Sequence, residues 1–258
     1  MCPTCHNRPG RVFTRQEFLH AALALAAAPL LAPLAALAES PAAGALEVSE
    51  IAPGVFVHQG RYELQSPENR GDMANAGFVV GGDSVAVIDT LGSAKVGAAL
   101  REAVRAVTER PIRYVINTHM HPDHVFGNAA FKADSPAFVA NRKLARGLGT
   151  RADRYLAINK QMMGGDVLEG TEVVLPTIPV DTTMSLDLGG RTLLLETQPT
   201  AHTDNDLIIT DSATNTLFLG DLLFSMHVPT LDGSIKGWLS VIDALKERKA
   251  ARVKLPAW

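Results

Sequence analysis

A mixed α/β fold, with helices laid on sheets, is predicted because strand-like and helix-like segments alternate along the chain and do so in two halves. Of the 258 residues 47% are apolar and 20% charged, enough to bury a core and too apolar for a disordered chain. The two cysteines, Cys2 and Cys5, fall within the first five residues, so no disulfide framework can hold the rest together. Stability must come from burial and from any metal the chain holds.

Taken in order, Leu46 to Gly60 reads as two short strands around the turn dipeptide Pro53-Gly54. The polar stretch Arg61 to Met73 is a loop long enough to border a pocket. Asn75 to Gly81 and Ser84 to Asp89 are apolar, β-branched runs, and Gly81-Gly82-Asp83 between them offers the positive backbone angles of a hairpin. From Lys95 to Arg110 the residues Val96, Ala99, Leu100, Ala103, Val104 and Val107 recur at helical spacing, and Pro111 stops the helix. Arg113 to Asn117 is a strand that runs into Thr118-His119-Met120-His121-Pro122-Asp123-His124. Arg142 to Met163 reads as a helix broken near Gly147 and Gly149, where glycine weakens the helical pattern. Further strands are expected at Val173 to Leu175, Met184 to Leu188, Arg191 to Glu196, Leu207 to Thr210 and Thr216 to Leu219. Gly237 to Lys249 is an amphipathic helix that should pack on a sheet, and Arg252 to Leu255 looks like the start of a last strand.

Residues 1–38 read as an export leader. Arg8, Arg11 and Arg15 precede an almost wholly apolar run from Phe18 that ends Ala36-Leu37-Ala38. Thr14 to Leu19 resembles the twin-arginine signal with Gln16 where the second arginine belongs, so either that route or general secretion is open. Cleavage after Ala38 removes three arginines and one glutamate, leaving 21 basic against 26 acidic residues, net −5. The expected location is periplasmic or secreted, with a membrane anchor if the leader is retained and no stable span once it is cleaved. Residues 39–46 would be a linker. Cys2-Pro3-Thr4-Cys5-His6 fits a haem-attachment pattern, but haem is attached after export and this motif lies ahead of the apolar run. The overall balance of −3 gives no electrostatic reason for a nucleic-acid partner.

Four of the eight histidines, His119, His121, His124 and His202, lie at strand-to-loop junctions, with Asp123 inside the first cluster. Three imidazoles and a carboxylate within six residues are wasteful unless they hold a cation. Alternate residues of an extended segment point the same way, so His119 and His121 can converge on one ion. Pro122 keeps His121 extended, and the turn beyond it can aim Asp123 and His124 at a second ion.

Thr118 to His124 resembles the H-x-H-x-D-H signature of the metallo-β-lactamase superfamily. Ala201-His202-Thr203-Asp204 and Leu219-Gly220-Asp221 are similar to its later ligand segments, and Val87-Ile88-Asp89-Thr90 to the strand ahead of its first helix. The resemblance implies a four-layer αββα sandwich over residues 47–258. It assigns His119, His121 and His202 to one metal and Asp123 and His124 to another, with Asp221 between. Zinc, as one or two ions, would supply a metal-bound hydroxide that hydrolyses an ester, thioester or lactam of a small molecule, with Asp123 orienting it or taking its proton. Family members usually close the second site with a histidine in a Gly-His-Gly-like turn. Here Pro256-Ala257-Trp258 follows Leu255, so the last strand and turn are expected to be incomplete and the second site weakened.

The leader and the Gly233 to Trp238 stretch look most like the zinc metallohydrolases of quinoprotein relay systems. Superfamily members that oxidise persulfides suggest a rival in which His119, His202 and Asp221 hold one Fe(2+). A binding protein with impaired catalysis is a third reading. His227 is expected on a substrate loop or a plain surface, and His58 on the surface of a strand.

Overall fold

A computed structural model describes residues 45–225 and 228–248, with the backbone of 252–257. The expected leader, nearly all of the linker, and His227 lie outside the described residues.

Two sheets carry the fold. The first has strand order β1-β2-β3-β4-β5-β6-β7, comprising β1 (Ser49–Ala52), β2 (Val55–His58), β3 (Ala76–Val80), β4 (Val85–Ile88), β5 (Ile112–Ile116), β6 (Ala137–Asn141) and β7 (Ile178–Val180). It is antiparallel from β1 to β4 and parallel from β4 to β7. The second has order β12-β11-β10-β9-β8, comprising β8 (Thr183–Asp187), β9 (Thr192–Thr197), β10 (Leu207–Asp211), β11 (Thr216–Phe224) and β12 (Arg252–Ala257). The final strand, expected to be only begun, is formed, and it pairs in parallel with β11 at the sheet edge.

Side chains alternate across a strand, and here both faces are dry. Ala86, Ile88, Ile116 and Val139 of the first sheet meet Leu193, Leu195, Ile209 and Phe218 of the second in the central layer. Their neighbours Val85, Val87, Val115 and Phe138 face outward, onto Val96, Leu100 and Val104 of helix α1 (Ala94–Val107). On the opposite side Ile208, Leu217 and Leu219 pack under Trp238 and Val241 of α5 (Ile235–Lys246). Helix, sheet, sheet and helix are therefore stacked as an αββα sandwich. Two short helices, α2 (Pro122–Val125) and α3 (Asn128–Phe131), and the long α4 (Leu144–Met163) complete the described helices.

Several elements differ from their expected form. Helix α1 ends at Val107 because Thr108 is extended, and Pro111 beyond it disfavours further helix. Helix α4 is unbroken through Gly147, where a Cβ would lie 2.5 Å from Met120 Sδ; the glycine lets the helix approach the histidine loop. Val173 to Leu175 is not a strand. Val173 and Val174 pack instead against two core clusters, and the strand of this region is β7, whose Pro179 sits at a sheet edge where its missing N–H matters least. Strand β6 was not anticipated, since a five-residue run buried on most sides shows no alternation. Gly81 and Gly82 do not take positive φ; they are small because Cβ atoms there would lie 2.2 Å from Leu188 and Gly189 of the second sheet's hairpin. His58 is buried, not on the surface, with Nε2 2.7 Å from Asp72 Oδ1 and Nδ1 2.8 Å from the Glu47 carbonyl.

Candidate metal centre

The histidine segments meet at one end of the sandwich, at the carboxyl ends of β4, β5 and β9 and along β11. The loop after β5 bends at Thr118 to Met120 instead of staying extended as expected; His121 itself is extended (φ −68°, ψ 145°), and the chain then turns at Pro122, the first residue of α2. Its base is fastened to β10 by Leu207 N–H donating to the Thr118 carbonyl (2.8 Å). Its far side is held by Asn117, Asn128 and Thr90, which hydrogen-bond one another and the His124 carbonyl. The loop carrying His202 is closed by Asp206, which accepts from the Thr203 N–H and hydroxyl. Burial pushes the Asp206 carboxyl up to about 7 even though those bonds oppose the shift. In β11, Gly220 takes φ +51°, a left-handed angle that glycine adopts without penalty, and turns the chain just before Asp221.

Three imidazole nitrogens converge. His121 Nδ1 lies 3.1 Å from His119 Nε2 and 2.9 Å from His202 Nε2. The edge of a zinc tetrahedron with nitrogens at their usual bond length is about 3.3 Å, so this spacing is that of ligands around one ion. Asp221 joins them, its Oδ2 3.3 Å from His202 Nε2 and 3.8 Å from His119 Nε2. Ligand atoms of these four residues all lie within 4.8 Å of one another. On the other side of Asp221, His124 Nε2 is 3.1 Å from Oδ1 and 3.5 Å from Asp123 Oδ2. All six residues singled out in the sequence are thus brought together, in a group of four and a group of three that share Asp221.

The outer nitrogens explain why the inner ones are free. His202 Nδ1 donates to the Thr230 carbonyl (2.8 Å) and His121 Nε2 to Asp232 Oδ2 (3.4 Å). His119 Nδ1 donates to the Thr118 hydroxyl (3.0 Å), which itself donates to Asp89 Oδ2 (2.7 Å). His124 Nδ1 donates to the same Asp89 Oδ2 (2.9 Å). Each donated proton commits the outer nitrogen and turns the inner one to the centre, where a cation can take it and where, at His124, a proton holds the same place, the arrangement that orients metal-binding histidines. His124 Nε2 and Asp221 Oδ1 are buried with no hydrogen-bond partner, although such atoms are normally satisfied. The donor set and these orphaned atoms fit a divalent cation, or a pair of them.

Charge follows the same division. Burial, reinforced by the neighbouring imidazoles, holds His119 well below the ordinary histidine value, and burial lowers His202. Both are neutral ligands near pH 7. At His124 burial acts the same way but is outweighed by Asp221, Asp123 and Asp89, which raise it well above that value, so this corner attracts a positive charge. The His124 imidazole in turn leads the forces that keep Asp221 ionised against its burial.

Asp89, Thr230 and Asp232 were not singled out as site residues in the sequence. Asp89 is the clearest. It ends β4 at φ +55°, an uncommon angle for a non-glycine residue, and its buried carboxylate accepts from Thr118 N–H (2.8 Å), the Thr118 hydroxyl and His124. Asp232 also donates its N–H to the His202 carbonyl (2.9 Å), so one residue orients two histidine segments.

An αββα sandwich with a histidine–aspartate cluster across the ends of its strands defines a class of metal-binding hydrolase folds. The metallo-beta-lactamase superfamily model matches residues 69–255, and the chain belongs to that superfamily. Among solved structures it is similar to a metallo-beta-lactamase from Pontibacter korlensis, at 20% identity and TM-score 0.63 over 82% of this chain and 90% of that one. It is also similar to TMB-1, a protein studied for substrate and inhibitor binding, at 22% identity and TM-score 0.62 over 83% and 89%. These likenesses are of fold. No curated protein matches the chain.

Proposed function

We propose that this chain is a zinc-dependent hydrolase that cleaves an acyl bond, in an ester, thioester or lactam, of a small molecule. One observation carries the reading: four imidazoles, each with its outer nitrogen committed as a donor, turn their inner nitrogens onto a space also faced by Asp221 and Asp123. His119, His121 and His202 would hold one ion, and Asp123 and His124 a second, with Asp221 between them. Bound zinc lowers the pKa of water towards neutrality and polarises the carbonyl that water attacks.

The chain's own residues do the rest. Asp123, with its side chain 26% exposed, is the least buried of the six and can accept a proton at the mouth of the site. Asp221 offers Oδ2 to His119 and His202 and Oδ1 to His124, and would offset the charge of cations held on either side of it. The site opens into a cavity of about 300 Å3 bordered by Leu64, Met73, Phe224 and Val228, a size suited to a small-molecule substrate. Among the described residues no helix is long and apolar enough to cross a membrane. The arginines and apolar run of residues 8–38 support export to the periplasm, in keeping with the likeness to quinoprotein-relay hydrolases.

Metal analysis of the dialysed full chain, with hydrolysis of p-nitrophenyl acetate and a chromogenic cephalosporin, tests this. One or two zinc ions per chain, the second more readily lost on dialysis, and turnover that disappears in His119→Ala are expected. The iron alternative draws on the same atoms, since Asp221 lies beside both His119 and His202. One iron per chain, with oxygen consumed on a persulfide substrate and no hydrolysis, would replace the zinc reading.

A further inference from the structure

Of the four imidazoles, His121 has the loosest hold. The outer partners of the others are a hydroxyl backed by Asp89 for His119, buried Asp89 itself for His124, and a main-chain carbonyl for His202. His121 leans instead on a half-exposed side chain: the Asp232 carboxylate is 38% exposed, and its Oδ2 lies 3.4 Å from Nε2. The backbone around that carboxylate is fastened, with Asp232 N–H on the His202 carbonyl (2.9 Å) and Ser234 N–H on the Ala201 carbonyl (2.8 Å). The side chain itself gains rotamer freedom by turning into solvent unless something draws it back. Arg151 of α4 supplies that pull. Its Nη2 lies 3.8 Å from Asp232 Oδ1, the oxygen His121 leaves unused, while Nη1 donates to the Gly147 carbonyl (3.2 Å) and lies 3.9 Å from Met120 Sδ. One guanidinium thus spans the loop that carries His121 and the segment that orients it, and it does not border the metal cavity.

We infer that Arg151 is a positioning residue for the metal centre: by holding the Asp232 carboxylate against His121 Nε2, it keeps the ring turned so that Nδ1 faces His119 and His202. The inference rests on the reading of His119, His121 and His202 as ligands of one ion, and deepens it. A neutral imidazole carries one proton, and the nitrogen that has an acceptor keeps it. When Asp232 swings away, the proton is free to move to Nδ1 or the ring to rotate, and either change takes the Nδ1 lone pair from the ion's position. Two N–H groups that diverge in a fixed plane suit the task, one for the Gly147 carbonyl and one toward Asp232. Half-exposed ion pairs are worth up to about fivefold in an equilibrium constant, so Arg151 tunes an affinity that Asp232 sets.

Zinc competition against a chromogenic chelator on the full chain tests this, with a double-mutant cycle to separate positioning from plain stabilisation. Asp232→Ala removes the outer partner and should weaken the most tightly held zinc about 10–100-fold. Arg151→Met, at a side chain 40% exposed, should weaken it about threefold to fivefold. The same substitution in the Asp232→Ala background should change nothing further, because Arg151 acts through that carboxylate. A second readout needs no metal: long-range 1H–15N spectra of the metal-free chain at alkaline pH should show His121 protonated at Nε2 in the parent and divided between its two nitrogens in Arg151→Met. Zinc affinity of Arg151→Met within about 1.5-fold of the parent, or an equal loss in both backgrounds, would overturn the inference. Failure of the parent to bind zinc would overturn the zinc reading instead, and the spectra would then decide the role of Arg151 alone, a changed tautomer upholding it and an unchanged one overturning it.

Discussion

Replacing Asp89 by Asn changes one atom and should disable half of the metal centre. The carboxylate has three donors around it: Thr118 N–H on Oδ1, and the Thr118 hydroxyl with His124 Nδ1–H on Oδ2. An asparagine has one acceptor oxygen and tolerates the left-handed backbone angle, so the fold has no reason to move. Its amide nitrogen must face either Thr118 N–H or His124 Nδ1–H. In the first case two buried donors oppose each other, at a cost of about 1–3 kcal/mol. In the second, His124 escapes by accepting at Nδ1, which puts its proton on Nε2 and removes the lone pair aimed at Asp221. Loss of such an outer-shell partner costs about 10–100-fold in metal affinity, equivalent to about 1.4–2.7 kcal/mol. The two estimates agree, because both measure one misplaced buried proton. Chelator competition on the D89N protein should show the cation proposed for Asp123, His124 and Asp221 weakened by that factor, with circular dichroism unchanged. Binding of both ions within twofold of the parent would refute the assignment of Asp89 as the group that sets the His124 tautomer.

Other expectations rest on separate features. Arg191 forks onto buried Asp211 (2.9 and 2.7 Å) and donates to the Pro53 and Val80 carbonyls, so Arg191→Met should cost about 3–5 kcal/mol in urea unfolding by stranding a buried carboxylate. Burial raises Asp211, but Arg191 and Thr214 outweigh it and hold the carboxyl below the usual range, so this contribution stands above the usual carboxylate pKa. The difference between parent and R191M should therefore shrink as pH falls through the lowered value. At His58 burial is outweighed by the hydrogen bond and charge of Asp72, so its pKa is raised above 6.5; the pair's contribution is full below 6.5 and lost as pH rises through the raised value. A histidine NMR titration should place the His58 midpoint above 6.5, and Asp72→Asn should bring it down. Gly220→Val forces a β-branched residue into φ +51° with its Cβ 2.7 Å from Thr118 Oγ1, so it should lose at least about 1–2 kcal/mol of stability by thermal unfolding and bind metal more weakly than the parent.

Much of the fold was legible where a physical pattern repeats. Strands β3 and β4 and helix α1 follow the apolar period of their segments, and each was anticipated to within a few residues. The misses share a cause in tertiary contact. Val173 and Val174 are apolar because they plug gaps between layers, and β6 has no alternation because its sheet is covered on both faces. The glycines at 81, 82 and 147 answer to residues 107, 107 and 27 positions away along the chain, and no local pattern announces such close approaches.

The metal centre divides along the same line. Its inner residues could be read from the sequence because three imidazoles and a carboxylate crowd into six residues of one loop, where packing has no use for them. Its outer residues could not, because any oxygen can hold the far side of an imidazole. A carbonyl at Thr230, a hydroxyl at Thr118 and carboxylates at Asp89 and Asp232 all do so here. Those partners nonetheless decide which nitrogens are free. The segment from His119 to His124 contains ligands without the means to orient them: Asp89 comes from the end of β4, and Asp232 and Thr230 from the chain beyond β11. Assembly of both sheets is therefore a precondition of the binding geometry.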